Sequence, residues 1–297
     1  YTVWDAFKLF GLDRPPGYRW DIDVDYLSER GPKLGTDFTY RGTERWGEPG
    51  AYRGELWGTT IYDTGMDNLG RDRLSLEPKQ EWRGGLSLRD RWDLPYDMTL
   101  LSSFAFVSDR NFLEQYRERD YDAGEDYETQ LFLRQTQQNW SWSAWLRPQL
   151  YNYYNNTQWL PRGDLFVIGE PLFGTPITWT SHTSAGFGIQ RIADPATDPN
   201  DYYSVLPWEA DADAGVFMTK HELAAPFWLG PFNIVPYVQG EADYWTAGFT
   251  SDPVDRLYGV LGVRSSIEFW KVWSDRSEEH TSELQSHSDL VCRLLLE

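Results

Sequence analysis

The chain has 297 residues with 16 Trp, 18 Tyr, a mean hydropathy of -0.60 and a formal net charge of -19. So acidic a chain is repelled by nucleic acid, and none of its apolar runs reaches the roughly 18 residues of a spanning helix. An aromatic share of 16% in so polar a chain fits a membrane β-barrel, whose strands need only about 9–11 alternating residues. A soluble β-sandwich that binds glycans through aromatics is the alternative. The chain starts at Tyr1 with neither Met nor a signal peptide, so a mature or truncated piece is expected.

Residues 1–16 carry apolar side chains at Val3, Trp4, Phe7, Leu9 and Phe10 and end on Pro15 and Pro16. They read equally as the end of a preceding segment or as a first strand, and the proline pair marks a break or an edge. Gly17 to Leu27 alternates cleanly: Trp20, Ile22, Val24 and Tyr26 face one way, and Arg19, Asp21, Asp23 and Asp25 the other. A turn over Ser28–Lys33 leads to a strand over Leu34–Arg41. A loop around Trp46–Gly50 precedes Tyr52–Tyr62, and a turn over Thr64–Arg73 leads to Glu81–Trp92.

The stretch Tyr96–Phe173 dominates the chain. Met98, Leu100, Phe104 and Phe106 share one parity, as do Trp140, Trp142, Ala144 and Leu146, and the breaks between them are rich in Asp, Asn, Gly and Arg. This predicts antiparallel strands with an apolar outer face and a polar inner one. Further strands are expected over Thr175–Ile192, Glu209–Leu223, Phe232–Thr246 and Leu257–Trp270, with a Pro/Asp-rich loop over Ala193–Asn200. Asp211 and Asp213, between Ala212, Ala214 and Val216, extend the polar face. The expected fold is all-β, about a dozen meander strands of a partial antiparallel transmembrane barrel over residues 17–275, with no helical interruption.

Residues 276–297 begin RSEEHTSELQS, which matches the translation of a common sequencing adapter, and are expected to be an artefactual tail. The alternative is a genuine acidic tail with a short helix over Leu290–Leu296. The single cysteine, Cys292, lies in this tail, so no disulfide framework can be read.

Two constellations invite chemistry. His182 and Ser184 stand two apart on a strand, as in barrel phospholipases, but Ala185 and Phe187 replace the residues that continue that motif. A structural role is expected for His182, and for His221 too. Asp120, Asp122 and Asp126 have a cation-loop spacing around Gly124 but lack a closing bidentate Glu, so they are weak metal candidates within an acidic loop. No catalytic group and no cofactor is expected.

The run Val107-Ser108-Asp109-Arg110-Asn111-Phe112-Leu113, then Glu118-Arg119-Asp120, Asn139-Trp140 and Gln158-Trp159-Leu160-Pro161-Arg162, resembles in order the barrel domain of the LptD (OstA) family over roughly residues 18–270. The resemblance implies an outer-membrane protein of a Gram-negative-type bacterium that assembles lipopolysaccharide, and it is not an enzyme. Lipid A would leave through a lateral seam between the first and last barrel strands while the sugar passes by way of the lumen. The partners it implies are lipopolysaccharide, the outer-membrane bilayer, a plug lipoprotein and the periplasmic bridge protein. On this reading Asp21, Asp23, Asp25, Asp211 and Asp213 line the substrate path, and Pro15 and Pro16 mark the seam. The family's barrels have about twice as many strands, so this chain is expected to stop partway round.

Overall fold

The computed structural model describes residues 2–70, 72–124, 127–196, 198, 200–201, 209–248 and 251–268, and the backbone of 269–272 and 283–296. It is all-β, with 63% of residues in strands and 6% in helix. The strands are β1 (Thr2–Asp5), β2 (Arg19–Leu27), β3 (Gly31–Arg45), β4 (Glu48–Tyr62), β5 (Trp82–Leu94), β6 (Met98–Val107), β7 (Gln130–Gln137) and β8 (Trp140–Arg147). They continue as β9 (Asn156–Pro171), β10 (Thr178–Arg191), β11 (Ala212–Ala224), β12 (Phe227–Leu229), β13 (Phe232–Trp245), β14 (Val254–Val272) and β15 (Glu283–Leu296). Among the described residues they form one sheet, ordered along the chain from β1 to β15, with β12 paired to β13 off the main path. The sheet is not closed. A sandwich would divide these strands between two sheets.

Two compact units divide the chain. The first comprises Tyr1–Thr136, Ser143–Gly163 and Gly186–Ala214, and the second Gln137–Trp142, Asp164–Ala185 and Gly215–Glu297. In the first, register carries the side-chain alternation from strand to strand. Val24 lies opposite Leu34, Leu34 opposite Thr60, and Leu86 opposite Phe106. The apolar side of these strands is uncovered: Tyr26, Leu34, Phe104 and Phe106 are 75%, 50%, 40% and 46% exposed. The other side is covered at one end. There Trp57, Ile61, Ala105 and Val107 pack with Phe112, Leu113 and Tyr127 from the connection after β6. In the second unit Val238 opposes Leu261, and both are about half exposed, whereas Ala224, Tyr237 and Val260 form a small core.

Several expectations change. Of the two readings left open for residues 1–16, residues 2–5 take that of a strand, antiparallel to β2, and then Asp5 caps the one-turn helix α1 (Ala6–Leu9) through the Lys8 N–H. The loop around Trp46–Gly50 shrinks to the two-residue turn Trp46-Gly47, whose φ values of 56° and 82° suit the right-handed twist of a tight hairpin. β3 and β4 are consequently longer than their alternation suggested. Two further short helices, α2 (Phe112–Tyr116) and α3 (Glu118–Asp122), interrupt the strands between β6 and β7. Each is barely more than one turn, too short to show a helical period in sequence. The backbone over Leu290–Leu296 is strand, paired with β14, where the alternative for the tail had a helix.

Tyrosines cover glycines across the outer face. The ring of Tyr40 lies where a Cβ on its cross-strand partner Gly54 would stand, 2.2 Å from Cζ, and Tyr52 covers Gly42 in the same way. In the second unit Tyr237 covers Gly262 in the same way, but on the buried side opposite the exposed Val238.

Candidate functional site

The best-defined assembly of polar groups in the first unit sits where the connections after β2, β4 and β6 meet β5. Its centre is Arg83, on the inward parity of β5 with no side-chain exposure. Its Nε and Nη2 donate to the two oxygens of Asp109 at 2.9 and 2.8 Å. Nη1 and Nη2 donate to the two oxygens of Asp67 at 2.7 and 3.0 Å, and Nη1 also donates to Asp63 at 2.8 Å. All five guanidinium hydrogens are thereby used. Arg30, from the β2–β3 turn, adds bonds to Asp63 at 2.8 Å, to Asp67 at 3.2 Å and to the Met66 carbonyl.

Tyr116 of α2 closes the cluster. Its hydroxyl donates to Asp63, and both Arg30 and Arg83 lie 5.4 Å from its ring centroid. Burial works to raise the Asp63 carboxyl, but the hydrogen bonds from Tyr116, Gly65 and Arg83 and the Arg30 charge outweigh it and hold the carboxyl below its ordinary range. Burial and the Asp63 contact push the Tyr116 phenol up.

The run Ser108–Leu113 builds this assembly locally. Ser108 Oγ accepts from the Gly84 N–H at 2.9 Å and donates to Asp109. Asn111 Nδ2 donates to Asp201 at 2.9 Å, Arg73 joins Asp201 to Glu114, and Phe112 is fully buried. The motif thus anchors a folded connection on the inward face of the sheet. Sequence reasoning singled out Asp109 within a motif but missed Arg83, Asp63, Asp67 and Arg30. The one available signal was an arginine on the inward parity of a strand, two residues before Gly85.

The sequence-predicted residues are spread over other places. Asp21, Asp23 and Asp25 lie on the face of β2 opposite Trp20, Ile22, Val24 and Tyr26. Lys33 bonds both Asp23 and Asp25 at 3.3 Å, while Arg19 takes Asp21. Asp211 falls just outside β11 and accepts from the Ile192 N–H at 2.8 Å. Asp213, at the start of β11, pairs with Arg191 and shares the parity of the exposed Phe217 and Leu223. Asp211 thus stands outside the strand and Asp213 on the parity of its apolar side, so they do not extend the polar face that carries Lys220 and Glu222.

Pro15 and Pro16 lie in the connection between α1 and β2, outside the β1–β2 ladder, whose free edge is β1. Asp120 is held by Arg117 Nε and the Tyr127 hydroxyl, Asp122 ends α3, and Asp126 lies outside the described residues. Among the described residues no group of three His, Cys, Asp or Glu side chains is arranged to hold a metal. His182 Nε2 meets Asp164 at 2.9 Å and its ring stacks on Phe166, while His221 bonds Trp179 and Thr219.

The fold is an all-β antiparallel meander, and in its first unit one side is apolar and uncovered while a folded polar connection covers one end of the other. No protein-family model matches the chain, and no curated protein matches it.

Proposed function

We propose that the chain is part of an outer-membrane β-barrel of the LptD type, which delivers lipopolysaccharide to the outer leaflet. One observation carries the membrane reading. Large apolar side chains stand uncovered in register across β2–β7, while most charged residues of the same strands share the opposite side, and Asp90 on the apolar side is paired with Arg45. Water disfavours so extended an apolar surface, whereas acyl chains accommodate it. The motif order around Ser108–Phe112 adds the lipopolysaccharide reading, with Asp21, Asp23 and Asp25 on the polar path. No covalent chemistry is required, and the protein supplies a polar route beside an apolar exit. An open sheet leaves ladder groups unpaired in lipid, so transport needs strands beyond these to complete the wall.

The test is heat-modifiable migration, on a gel in detergent, of the chain joined to strands that close its sheet, followed by photocrosslinking from the Asp23 position to lipopolysaccharide. A heat-dependent shift with a crosslink supports the reading. A chain soluble without detergent that shows no shift ends it.

The His182–Asp164 contact favours one second reading, a lipid hydrolase, because a carboxylate on the imidazole is how a general base is oriented. Ser184 is 4% exposed and, among the described residues, makes no hydrogen bond to His182. Lipid hydrolysis that disappears in Ser184→Ala would establish this reading, and hydrolysis unchanged in that variant would remove it.

A further inference from the structure

Register sets three arginines side by side on the polar side of the first unit. Arg41 of β3 lies directly opposite Arg53 of β4, and Arg53 directly opposite Arg91 of β5. Directly opposed residues of antiparallel strands share a face, with Cβ atoms about 4.5–5.5 Å apart, and like charges so placed repel. The next row adds Arg89, opposite Glu55. Arg53, Arg89 and Arg91 line a groove of about 570 Å³ together with Glu55, Ser102 and Ser103, and Arg41 stands beside it in the same row.

The carboxylates present leave this row undersupplied. Arg91 holds Asp93 at 2.9 Å, and Arg89 reaches Glu55 at 3.5 Å. Asp90 is taken by Arg45, through two bonds of 2.9 and 2.6 Å. Among the described residues Arg41 and Arg53 have no carboxylate partner, and both are exposed. Arg41 and Arg53 thus keep positive charge without a carboxylate partner among the described residues, in a chain whose net charge is -19.

We propose that this arginine row, with the groove beside it, binds phosphoryl groups. A guanidinium presents a rigid fork that matches phosphate oxygens bidentately. Three of them across three adjacent strands span about 10 Å, at the inter-strand spacing of a sheet, which suits a ligand bearing two phosphoryl groups on a sugar-sized body. Bound phosphate would relieve the repulsion that the register imposes. The same chemistry is offered by free pyrophosphate and by a phosphorylated glycolipid. The glycolipid source rests on the proposed function, and the phosphate site itself does not.

The test uses the full chain folded in detergent and follows its thermal midpoint with increasing pyrophosphate, against sodium chloride of equal ionic strength and citrate of similar charge. Pyrophosphate is expected to raise the midpoint above both controls, and Arg41→Gln/Arg53→Gln is expected to weaken its apparent affinity roughly tenfold or more. Arg119→Gln, which removes a charge on α3, is expected to leave the affinity unchanged. Without ligand, the double variant is expected to melt no lower than the wild type, because it loses repulsion and no ion pair. No pyrophosphate effect beyond chloride, an equal effect of citrate, or equal affinity in the double variant would overturn the site. A second arm compares a phosphorylated diglucosamine lipid with its dephosphorylated form. Discrimination between them assigns the glycolipid as the source. Pyrophosphate binding without such discrimination overturns that source and leaves the phosphate site standing.

Discussion

Arg83 donates to both oxygens of Asp67, at 2.7 and 3.0 Å, with neither side chain reached appreciably by solvent. The pair joins a strand to a connection and is the centre of a cluster in which three carboxylates depend on two guanidiniums. Removing the central cation leaves buried charge without compensation, whereas the pair itself adds little beyond an apolar replacement. Arg83→Met is therefore expected to lower stability by about 3–5 kcal/mol, read as a shift in the denaturant midpoint by tryptophan fluorescence. A shift near zero would mean that the cluster is hydrated in solution.

The acid limb of stability follows from Asp63. Its carboxyl is held below the ordinary value, so its contribution is complete above the unfolded value of roughly 4 and is lost as pH falls through the lower folded value. Asp120 behaves in the same sense: burial opposes ionisation, and the bonds from Arg117 and Tyr127 prevail. Proteolysis within 63–81 and 108–129 is expected to accelerate below about pH 4 in the wild type. It should change much less with pH in Asp63→Asn, which has lost the titrating group. Identical profiles for the two proteins would remove Asp63 from the account.

The alkaline limb has the opposite sign. Tyr127 is pushed up to about 12, first by burial and then by its bond to Asp120, so its contribution holds below the unfolded value near 10 and fades as pH rises toward 12. Phenolate absorbance of the folded chain should therefore show a late-titrating class that merges with the rest on unfolding. In Tyr127→Phe that class should shrink.

Phe104 and Thr39 are both exposed, on opposite sides of the first unit's strands. In water an arginine at either position should change stability by no more than about 0.5 kcal/mol. In a bilayer Phe104→Arg should cost about 2–4 kcal/mol at mid-depth, and Thr39→Arg close to nothing. Refolding yields into lipid vesicles distinguish the two cases, and equal yields for both variants would argue against acyl chains on the Phe104 side.

The Tyr40–Gly54 contact is testable by a double-mutant cycle. Gly54→Val puts branched carbon where the Tyr40 ring lies and should cost about 1–3 kcal/mol. Combining it with Tyr40→Ala should recover part of that loss, because the two side chains compete for one space. Strict additivity would show that the ring moves aside freely.

Alternation alone determined that this chain is a meander of strands and which parity is apolar. The side-chain period of a strand is local, so Trp20, Ile22, Val24 and Tyr26 declare their common side without reference to any partner. Strand ends were less legible. The Trp46-Gly47 turn depends on two left-handed residues, and Asp211 fell outside a strand that starts at Ala212. What tertiary structure alone decided is pairing across distance. Arg83 meets partners 16 to 26 residues away, and Arg41, Arg53 and Arg91 share a row only through the register of three strands. Register is set by hairpin length and by burial of one face, and shifting a strand by one residue would send Arg53 to the other side. Charges that look scattered along the chain become a buried cluster and an open row because hydrogen-bonded ladders bring them together.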